Sequence, residues 1–184
     1  DATFGNGGVV QTSFGSCYSY AYAYAAAVQI DGKILVAGQS DGNIAIARYN
    51  PDGSLDSTFS HDGMTTLDLG GWDSARSIAV QGDGKIVVGA EDGCGSHGMV
   101  AVRYNTDGTL DSSFGSGGIA SSNLSGSYAG PDLVLRSNGS IAMAGSLNGD
   151  FVVVRFTSQG ALDGSLDSDG IAIVNAGGWE YGGG

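Results

Sequence analysis

The sequence predicts an all-β fold of the β-propeller type, with three four-stranded antiparallel blades and a partial unit at each end. The first observation is a repeat. Arg48, Arg103 and Arg155 each begin a copy of one motif, at spacings of 55 and 52 residues. A fixed period of this length indicates a repeat architecture. The second observation is composition, since 34 Gly but only 2 Pro among 184 residues suit many short strands joined by tight turns.

The motif reads Arg-Tyr-Asn-x-Asp-Gly-x-Leu-Asp-x-x-Phe at 48–59 and 103–114, and it drifts in a third copy at 155–166. The chain opens on the tail of a further copy, at 1–5. The strand-like stretches between the motifs, such as 33–38, are apolar at nearly every position. Strands of this kind are buried on both faces, as they are in a blade that lies between two others.

The repeat divides the chain into five parts. Residues 1–19 are a partial unit, 20–71 the first blade, 72–126 the second, 127–178 the third, and 179–184 the start of a further unit. The apolar stretches predict these strands: 8–14 in the partial unit; 22–29, 33–38, 43–49 and 64–69 in the first blade; 74–80, 85–89, 99–104 and 118–124 in the second; 132–135, 140–145, 150–156 and 170–175 in the third.

Each blade carries the same hairpin turn between its first two strands. The turn is Asp31-Gly32 in the first blade, Asp83-Gly84 in the second and Asn138-Gly139 in the third. Asp-Gly and Asn-Gly both tolerate the positive φ angles of a tight hairpin turn, so the replacement preserves the turn. The turn therefore predicts that the first two strands of every blade are an antiparallel pair.

These motifs resemble the delta-60 repeat, which occurs in tandem in large bacterial proteins. The resemblance rests on Asp31–Ile34, Asp83–Ile86, Arg48–Phe59 and Arg103–Gly115. It covers nearly the whole chain, but the third unit departs from the pattern at Ser140, Phe156, Thr157, Gln159 and Leu166. The resemblance implies a propeller-like fold and an extracellular, secreted setting, and it supplies no catalytic residues.

The charge balance restricts the partners. The chain has 19 acidic and 7 basic residues, which gives a net charge of −12. This charge argues against nucleic acid and against anionic membrane surfaces, and it is compatible with cations, carbohydrates or proteins. No apolar run approaches the ~20 residues of a membrane-spanning helix. The lack of an initiator Met and of a signal peptide is expected for a mature or excised segment.

Three blades are too few to close a ring, since single propellers have about four to eight. The two partial units are complementary, and the exposed blade edges offer strands for pairing. We therefore expect a non-enzymatic extracellular structural or interaction module that assembles through blade-edge contacts into a closed propeller or a fibre. It would act as a homo-oligomer or within a larger repeat array. No catalytic motif is present, and a glycan-active enzyme with a carboxylate pair is the remaining alternative.

The second expected function is that of a lectin-like propeller. In a four-stranded blade, the loop before the first strand and the loop between the second and third strands share one rim. Aromatic and acidic residues collect in these loops, where rings can stack on sugars and carboxylates can bind hydroxyl groups. The candidate ligand-binding residues are Tyr20, Trp72, Glu91, Asp92, Tyr128 and Trp179. The structural alternative is that the two Trp side chains fill the gaps between blades.

Aspartates crowd the opposite rim, where calcium is the candidate cofactor. The candidate ligands are Asp52, Asp56, Asp107 and Asp111, because Ca²⁺ takes several oxygen ligands from flexible loops. No loop has the complete calcium-loop pattern of the helix-loop-helix proteins. Two structural alternatives are that these aspartates cap their own turns, or that they pair with the recurring arginines. No other cofactor is expected.

The two cysteines, Cys17 and Cys94, fall on the aromatic rim in neighbouring units. A disulfide between them is an expectation that depends on an oxidising compartment. His97 follows Cys94 by three residues, but a zinc site needs about four ligands at characteristic spacing. A plain polar loop is the alternative reading of this segment.

Overall fold

The computed structural model describes residues 1–15, 20–93, 98–126 and 128–175, without the side chains of 128 and 129. These residues form three four-stranded antiparallel sheets, which confirms the predicted all-β class and the three blades. The strands are β1 (Ala21–Val28), β2 (Ile34–Ser40), β3 (Asn43–Tyr49), β4 (Met64–Leu67), β5 (Asp73–Val80), β6 (Ile86–Asp92), β7 (Met99–Tyr104), β8 (Ile119–Ser121), β9 (Tyr128–Leu135), β10 (Ile141–Leu147), β11 (Asp150–Phe156) and β12 (Ile171–Val174). The described part of the chain contains no helix able to cross a membrane.

Each sheet is a meander in which consecutive strands pair, with the orders β1-β2-β3-β4, β5-β6-β7-β8 and β9-β10-β11-β12. The three blades share one register, because the residue that begins the second strand always pairs with the aromatic residue that ends the third. These pairs are Ile34 with Tyr49, Ile86 with Tyr104, and Ile141 with Phe156. Equivalent positions in the repeat are therefore equivalent positions in space.

The first strand of every blade has a register irregularity at the same place. It follows Ala23 in β1 and Ala75 in β5, and in β9 it includes Pro131. Pro has no N–H to donate to the ladder, and a bulge is one of the places in a sheet where it is tolerated. The sequence predicted that this strand begins at 132, after the Pro, whereas the bulge lets the pairing extend back to Tyr128.

The strand predicted at 8–14 is not formed. Within residues 1–15, β bridging is limited to the pair Asn6 and Val9. The last strand of a blade needs the third strand of its own blade as a partner, and the described residues hold no such strand ahead of this segment. The segment lies instead against blade 1, where Val10 and Thr12 line a cleft beside the sheet.

The core lies between the blades. The first cluster of buried side chains comprises Leu35, Ile44, Ile46 and Phe59 from blade 1 with Ile86, Val88, Val100, Val102 and Tyr104 from blade 2. The second comprises Val87, Met99, Ala101 and Phe114 from blade 2 with Ile141, Met143, Val152, Val154 and Phe156 from blade 3. Successive residues of β6 enter different clusters, which explains why this strand is apolar on both faces.

A loop between the third and fourth strands attaches each blade to the next. We call it the docking loop, and it spans 56–60 in blade 1 and 111–115 in blade 2. The backbone hydrogen bonds that it makes across the boundary are Ser60 N–H to the Asp107 carbonyl and Gly115 N–H to the Gln159 carbonyl, both 2.8 Å. Both acceptors belong to the turn that follows the third strand of the next blade.

Residues 1–5 repeat the docking-loop sequence and make the equivalent contact. The N–H of Gly5 donates to the Asp52 carbonyl at 2.8 Å, and Asp52 corresponds to Asp107 in the repeat. The partial unit therefore docks on blade 1 in the way that blade 1 docks on blade 2.

The turn that receives the docking loop requires Gly for two reasons. Gly108 has a φ of 87°, and a Cβ atom there would lie 2.9 Å from the ring of Phe59. Gly53 and Gly160 hold the same position in the other blades, with φ of 88° and 86°. Each of these Gly residues therefore combines a left-handed backbone with a close contact to the docking loop of the preceding unit.

Replacing Gly108 with Ala should lower the free energy of unfolding by about 2–5 kcal/mol, since a left-handed Ala costs about 1–2 kcal/mol and overpacking costs about 1–3 kcal/mol. Urea unfolding followed by circular dichroism measures the change. Gly82→Ala is the matched control, because no atom lies within 4 Å of that site and its φ is not left-handed. The control should stay within about 0.5 kcal/mol of the parent. Equal losses in both variants would contradict the docking geometry.

Candidate functional site

The loops of the described blades collect on two opposite rims. The start of β1 pairs with the end of β2, Ala21 with Ser40, so the loop before the first strand lies beside the loop between the second and third. We call this side the aromatic rim. The Asp-Gly turns and the docking loops lie at the other end of the strands, which we call the ionic rim. This division follows the alternation of loops that the sequence predicted.

The aromatic rim contains an open cleft of about 410 Å³ at the boundary of blades 1 and 2. The residues that line it are Tyr20, Tyr22, Gln39, Asp41, Gly42 and Trp72. Two of the predicted ligand-binding residues, Tyr20 and Trp72, are thus brought together. Their side chains are largely exposed, with 72% and 71% of their surface accessible.

Trp72 does not fill the gap between blades, contrary to the structural alternative. Its carbonyl accepts a hydrogen bond from the N–H of Gly93 at 2.9 Å, while the next residue, Asp73, donates its N–H to the Gly42 carbonyl at 2.6 Å. The backbone is therefore tied to loops of both blades, and the indole remains exposed. This anchoring holds the ring at the edge of the cleft.

Tyr20 is fixed to the turn between β2 and β3. Its N–H donates to Oδ1 of Asp41 at 3.0 Å, and its carbonyl accepts from the N–H of Asp41 at 3.0 Å. Asp41 and Gly42 form the two-residue turn, with φ of 50° and 84°. Positive φ at both positions characterises the tight turn whose twist matches paired strands.

An aromatic row continues along β1 away from the cleft. The rings of Tyr22 and Tyr24 are nearly parallel, with centroids 6.4 Å apart. The guanidinium of Arg76, from blade 2, lies 4.3 Å from the Tyr24 ring centroid and pairs with Glu91 at 2.5 Å. Glu91, one of the predicted ligand-binding residues, is thus engaged by a cation within the protein.

The remaining predicted residues of this rim have different outcomes. Asp92 ends β6 and is buried, with 3% of its surface accessible. Tyr128 begins β9, and its side chain lies outside the description. Trp179 and both cysteines of the predicted disulfide, Cys17 and Cys94, lie outside the described residues. Their binding role and pairing stay predictions.

Sequence reasoning did not select Tyr22 or Gln39 as site residues. The sequence predicts Tyr22 only as the first residue of a strand. Tyrosines at 20, 22 and 24 alternate with Ala, and a period of two places them on one face of a strand. This alternation could have identified Tyr22 as a site residue. No local pattern identifies Gln39, because its position in the cleft depends on how β2 packs against the next blade.

The ionic rim contains a repeated cluster of charges around a buried Asp. In blade 1, Oδ2 of Asp56 lies 2.8 Å from Nζ of Lys33 and 2.7 Å from Nε of Arg48. Its other oxygen accepts from the hydroxyl and the N–H of Thr58, at 2.7 and 3.1 Å. Both carboxylate oxygens are therefore occupied by donors of the same blade.

Blade 2 repeats this cluster around Asp111. Its Oδ2 lies 2.8 Å from Nζ of Lys85 and 2.7 Å from Nε of Arg103, and Ser113 donates to Oδ1 at 2.6 Å. The pairing of the recurring Arg with Asp, one alternative for the aspartates, is thus present in the structure. In blade 3 the pair of Arg155 and Asp163 is retained at 2.7 Å.

Each cluster also reaches across the blade boundary. Nη1 of Arg48 donates to the carbonyl of Thr106 at 2.6 Å, and Nη1 of Arg103 donates to the carbonyl of Ser158 at 2.7 Å. The same guanidinium groups lie over the rings of Phe59 and Phe114, at 4.8 and 4.4 Å from the centroids. The charges thus hold the docking loop and the next blade together.

The environment keeps these carboxylates ionised. Burial raises the pKa of Asp56, but hydrogen bonds from Lys33 and Thr58 and the charge of Arg48 outweigh it, so the pKa lies well below its ordinary range. The same balance, with Lys85, Ser113 and Arg103, lowers the pKa of Asp111.

The aspartates that were expected to bind calcium take part in local structural contacts. Asp52 accepts from the hydroxyl and N–H of Ser54, and Asp107 accepts likewise from Thr109, so each shapes its own turn. These hydrogen bonds lower the pKa of both aspartates. Among the described residues no group of three or more His, Cys, Asp or Glu could hold a metal ion. Calcium binding at Asp52, Asp56, Asp107 and Asp111 stays a prediction.

Two segments of the chain, 29–59 and 81–114, match the family model described as "Domain of unknown function (DUF5122) beta-propeller". Each begins at the end of the first strand of a blade and runs through the second and third strands into the docking loop. The match is consistent with the bacterial β-propeller repeats that the sequence resembles, and it confirms that resemblance.

No curated protein matches the chain. Among solved structures, the chain is similar to a catalytically inactive virginiamycin B lyase from Staphylococcus aureus, with 15% identity and a TM-score of 0.30. The alignment covers 84% of this chain and 63% of the lyase chain.

Replacing Asp111 with Asn should destabilise the protein by about 3–5 kcal/mol, because it leaves Lys85 and Arg103 without their shared carboxylate. Chemical unfolding measures the loss. Asp107→Asn is the matched control, because that exposed Asp contributes hydrogen bonds to its turn that an Asn can also accept. The control should change stability by no more than about 0.5 kcal/mol.

The acid dependence of stability gives a second readout of the same substitution. Folding lowers the pKa of Asp111, so its stabilisation is complete above the ordinary Asp pKa of about 3.9. It is lost as the pH falls from there towards the lowered value. The Asn variant should therefore lose less stability than the parent between about pH 4 and pH 2. Parallel acid profiles for the two proteins would contradict the assignment.

Proposed function

We propose that this chain is a non-enzymatic, extracellular structural or interaction module that associates through its end blades with further blades of the same repeat. The observation that supports this most directly is the outward face of blade 3. Phe151 and Val134 on this face are largely exposed, and the position that Phe151 occupies is buried at both internal boundaries.

Phe151 illustrates the difference. In the repeat it corresponds to Ile44 of blade 1 and Met99 of blade 2, which are 0% and 1% accessible. Phe151 is 66% accessible, and Val134 on the first strand of the same blade is 63% accessible. Soluble proteins seldom leave large contiguous apolar patches exposed unless the patch serves an interaction.

Arg155 is a polar side chain of blade 3 that corresponds to residues used at the internal boundaries. It is the third member of the series in which Arg48 and Arg103 donate Nη1 to a turn carbonyl of the next blade. Its own bonds to Asp163 and Ser165 lie within blade 3. A further blade with the same turn after its third strand would place a carbonyl where this guanidinium can reach it.

The opposite end offers the complementary surface. The face of blade 1 that a preceding blade would cover borders a cleft of about 310 Å³ beneath residues 1–15. The sheet residues that line this cleft include Val36, Ala45, Ala47 and Tyr49. They correspond to Val88, Val100, Val102 and Tyr104, through which blade 2 packs on blade 1. The two ends thus carry the two halves of an interface that the chain already uses internally.

The extracellular setting and the non-enzymatic role are supported by other features. The resemblance to secreted bacterial repeats supports the first. For the second, the buried charged clusters around Asp56 and Asp111 are occupied in joining blades.

The chain should self-associate in a concentration-dependent way, and Phe151→Glu should weaken this by at least about tenfold, because a charge would enter an apolar contact. Sedimentation equilibrium gives the mass and the dissociation constant. Ile30→Glu is the control, since Ile30 is also fully exposed but lies at the turn beyond β1. A parent chain that stays monomeric over about a hundredfold concentration range, or an equal effect of both substitutions, would overturn the proposal.

A further inference from the structure

We propose that the cleft on the aromatic rim, formed by Tyr20, Tyr22, Trp72, Gln39 and Asp41, is a binding site for a neutral oligosaccharide. This inference goes beyond assembly through the end blades, because the cleft lies on the rim and not on the outward blade faces. Three properties of the cleft support it: exposed rings, paired polar groups and a preformed backbone.

The rings provide the apolar platform. Tyr20, Tyr22 and Trp72 are 72%, 52% and 71% accessible, although all three line the same cleft. Aromatic side chains that are left exposed together offer flat apolar faces to a ligand with a polar edge. A pyranose ring has this character, since C–H groups form one face and hydroxyl groups surround the ring.

The polar groups provide both kinds of hydrogen-bonding partner. Oε1 of Gln39 accepts from the hydroxyl of Ser74 at 2.6 Å, which fixes the orientation of the amide and leaves its NH₂ as the donor end. The carboxylate of Asp41 also lines the cleft, where its Oδ1 accepts from the N–H of Tyr20 at 3.0 Å, and a carboxylate oxygen can accept more than one hydrogen bond. A hydroxyl group both donates and accepts, so a sugar can use the two side chains together.

The charge of the site selects neutral sugars. Of the described residues that line the cleft, Asp41 alone is charged, and its charge is negative. The whole chain also has a net charge of −12. Anionic sugars such as uronates or sialic acids would be repelled by both. The proposed ligand class is therefore neutral hexose or N-acetylhexosamine oligosaccharides.

The backbone of the cleft is preorganised. The reciprocal bonds of Tyr20 and Asp41 fix one wall, and the bonds of Gly93 to Trp72 and of Asp73 to Gly42 fix the other. Gly42 suits the turn between β2 and β3 because its φ of 84° lies in the left-handed region that favours glycine. A ligand would thus lose little free energy in ordering the site.

A glycan array of neutral oligosaccharides of glucose, galactose, mannose and N-acetylglucosamine tests the proposal, with isothermal titration calorimetry on each hit. We expect at least one class to bind. Trp72→Ala and Tyr20→Ala should each weaken binding about tenfold or more, since stacking rings dominate such contacts. Trp72→Phe should retain part of the affinity.

Phe151→Ala is the matched control, because it removes an exposed ring from the outward face of blade 3 and should leave sugar binding unchanged. Circular dichroism establishes that each variant is folded, and the graded order of parent, Trp72→Phe and Trp72→Ala excludes misfolding as the cause. The proposal is overturned if the parent chain binds no glycan on the array. It is also overturned if Trp72→Ala binds as well as the parent, or if Phe151→Ala weakens binding as much as Trp72→Ala does. None of these outcomes bears on self-association.

Discussion

The apolar face of a blade in this protein can be buried only against another blade. Each four-stranded sheet is too thin to enclose a core of its own, so both large clusters of buried side chains lie at the boundaries between blades. In blade 2, which has neighbours on both sides, β7 is buried along its whole length, whereas Phe151 and Val134 of blade 3 are exposed. Repeat proteins whose units contact only their neighbours share this dependence.

Packing and charge act at the same boundaries. The guanidinium of Arg48 binds Asp56, covers Phe59 and donates to the Thr106 carbonyl of the next blade. One side chain thus joins the ion pair, the docking loop and the neighbouring turn. Asp56 and Asp111 bind the arginines that reach the next blade, while Asp52 and Asp107 shape their own turns, so these acidic residues have structural roles. At the aromatic rim, blades 1 and 2 are joined by the bonds of Asp73 to Gly42 and of Ser74 to Gln39, and the rings of Tyr20 and Trp72 are exposed.

The sequence predicted those features that arise from local patterns repeated in the chain. The Asp-Gly turns, the strands that are apolar on both faces and the three blades follow from residue type and spacing. The strand at 8–14 was predicted wrongly, because the existence of a strand depends on a partner that local sequence does not report. Gln39 was missed for a related reason: its partner Ser74 lies 35 positions away in another blade. Pairing of Asp56 with Lys33 likewise became evident only from the register of β2 and β3.

Blade 3 lacks two of the groups that strengthen the other boundaries. Ser140 stands where Lys33 and Lys85 contribute their ammonium groups, and Leu166 stands where Phe59 and Phe114 carry their rings. Asp163 accordingly keeps Arg155 as its basic partner, without the second cation that Asp56 and Asp111 have. In a one-dimensional stack, opening begins where nearest-neighbour cohesion is smallest. Among the described residues, blade 3 has a packed neighbour on one side, whereas the central blade contributes to both core clusters. The amides of blade 3 should therefore exchange with solvent before those of the central blade.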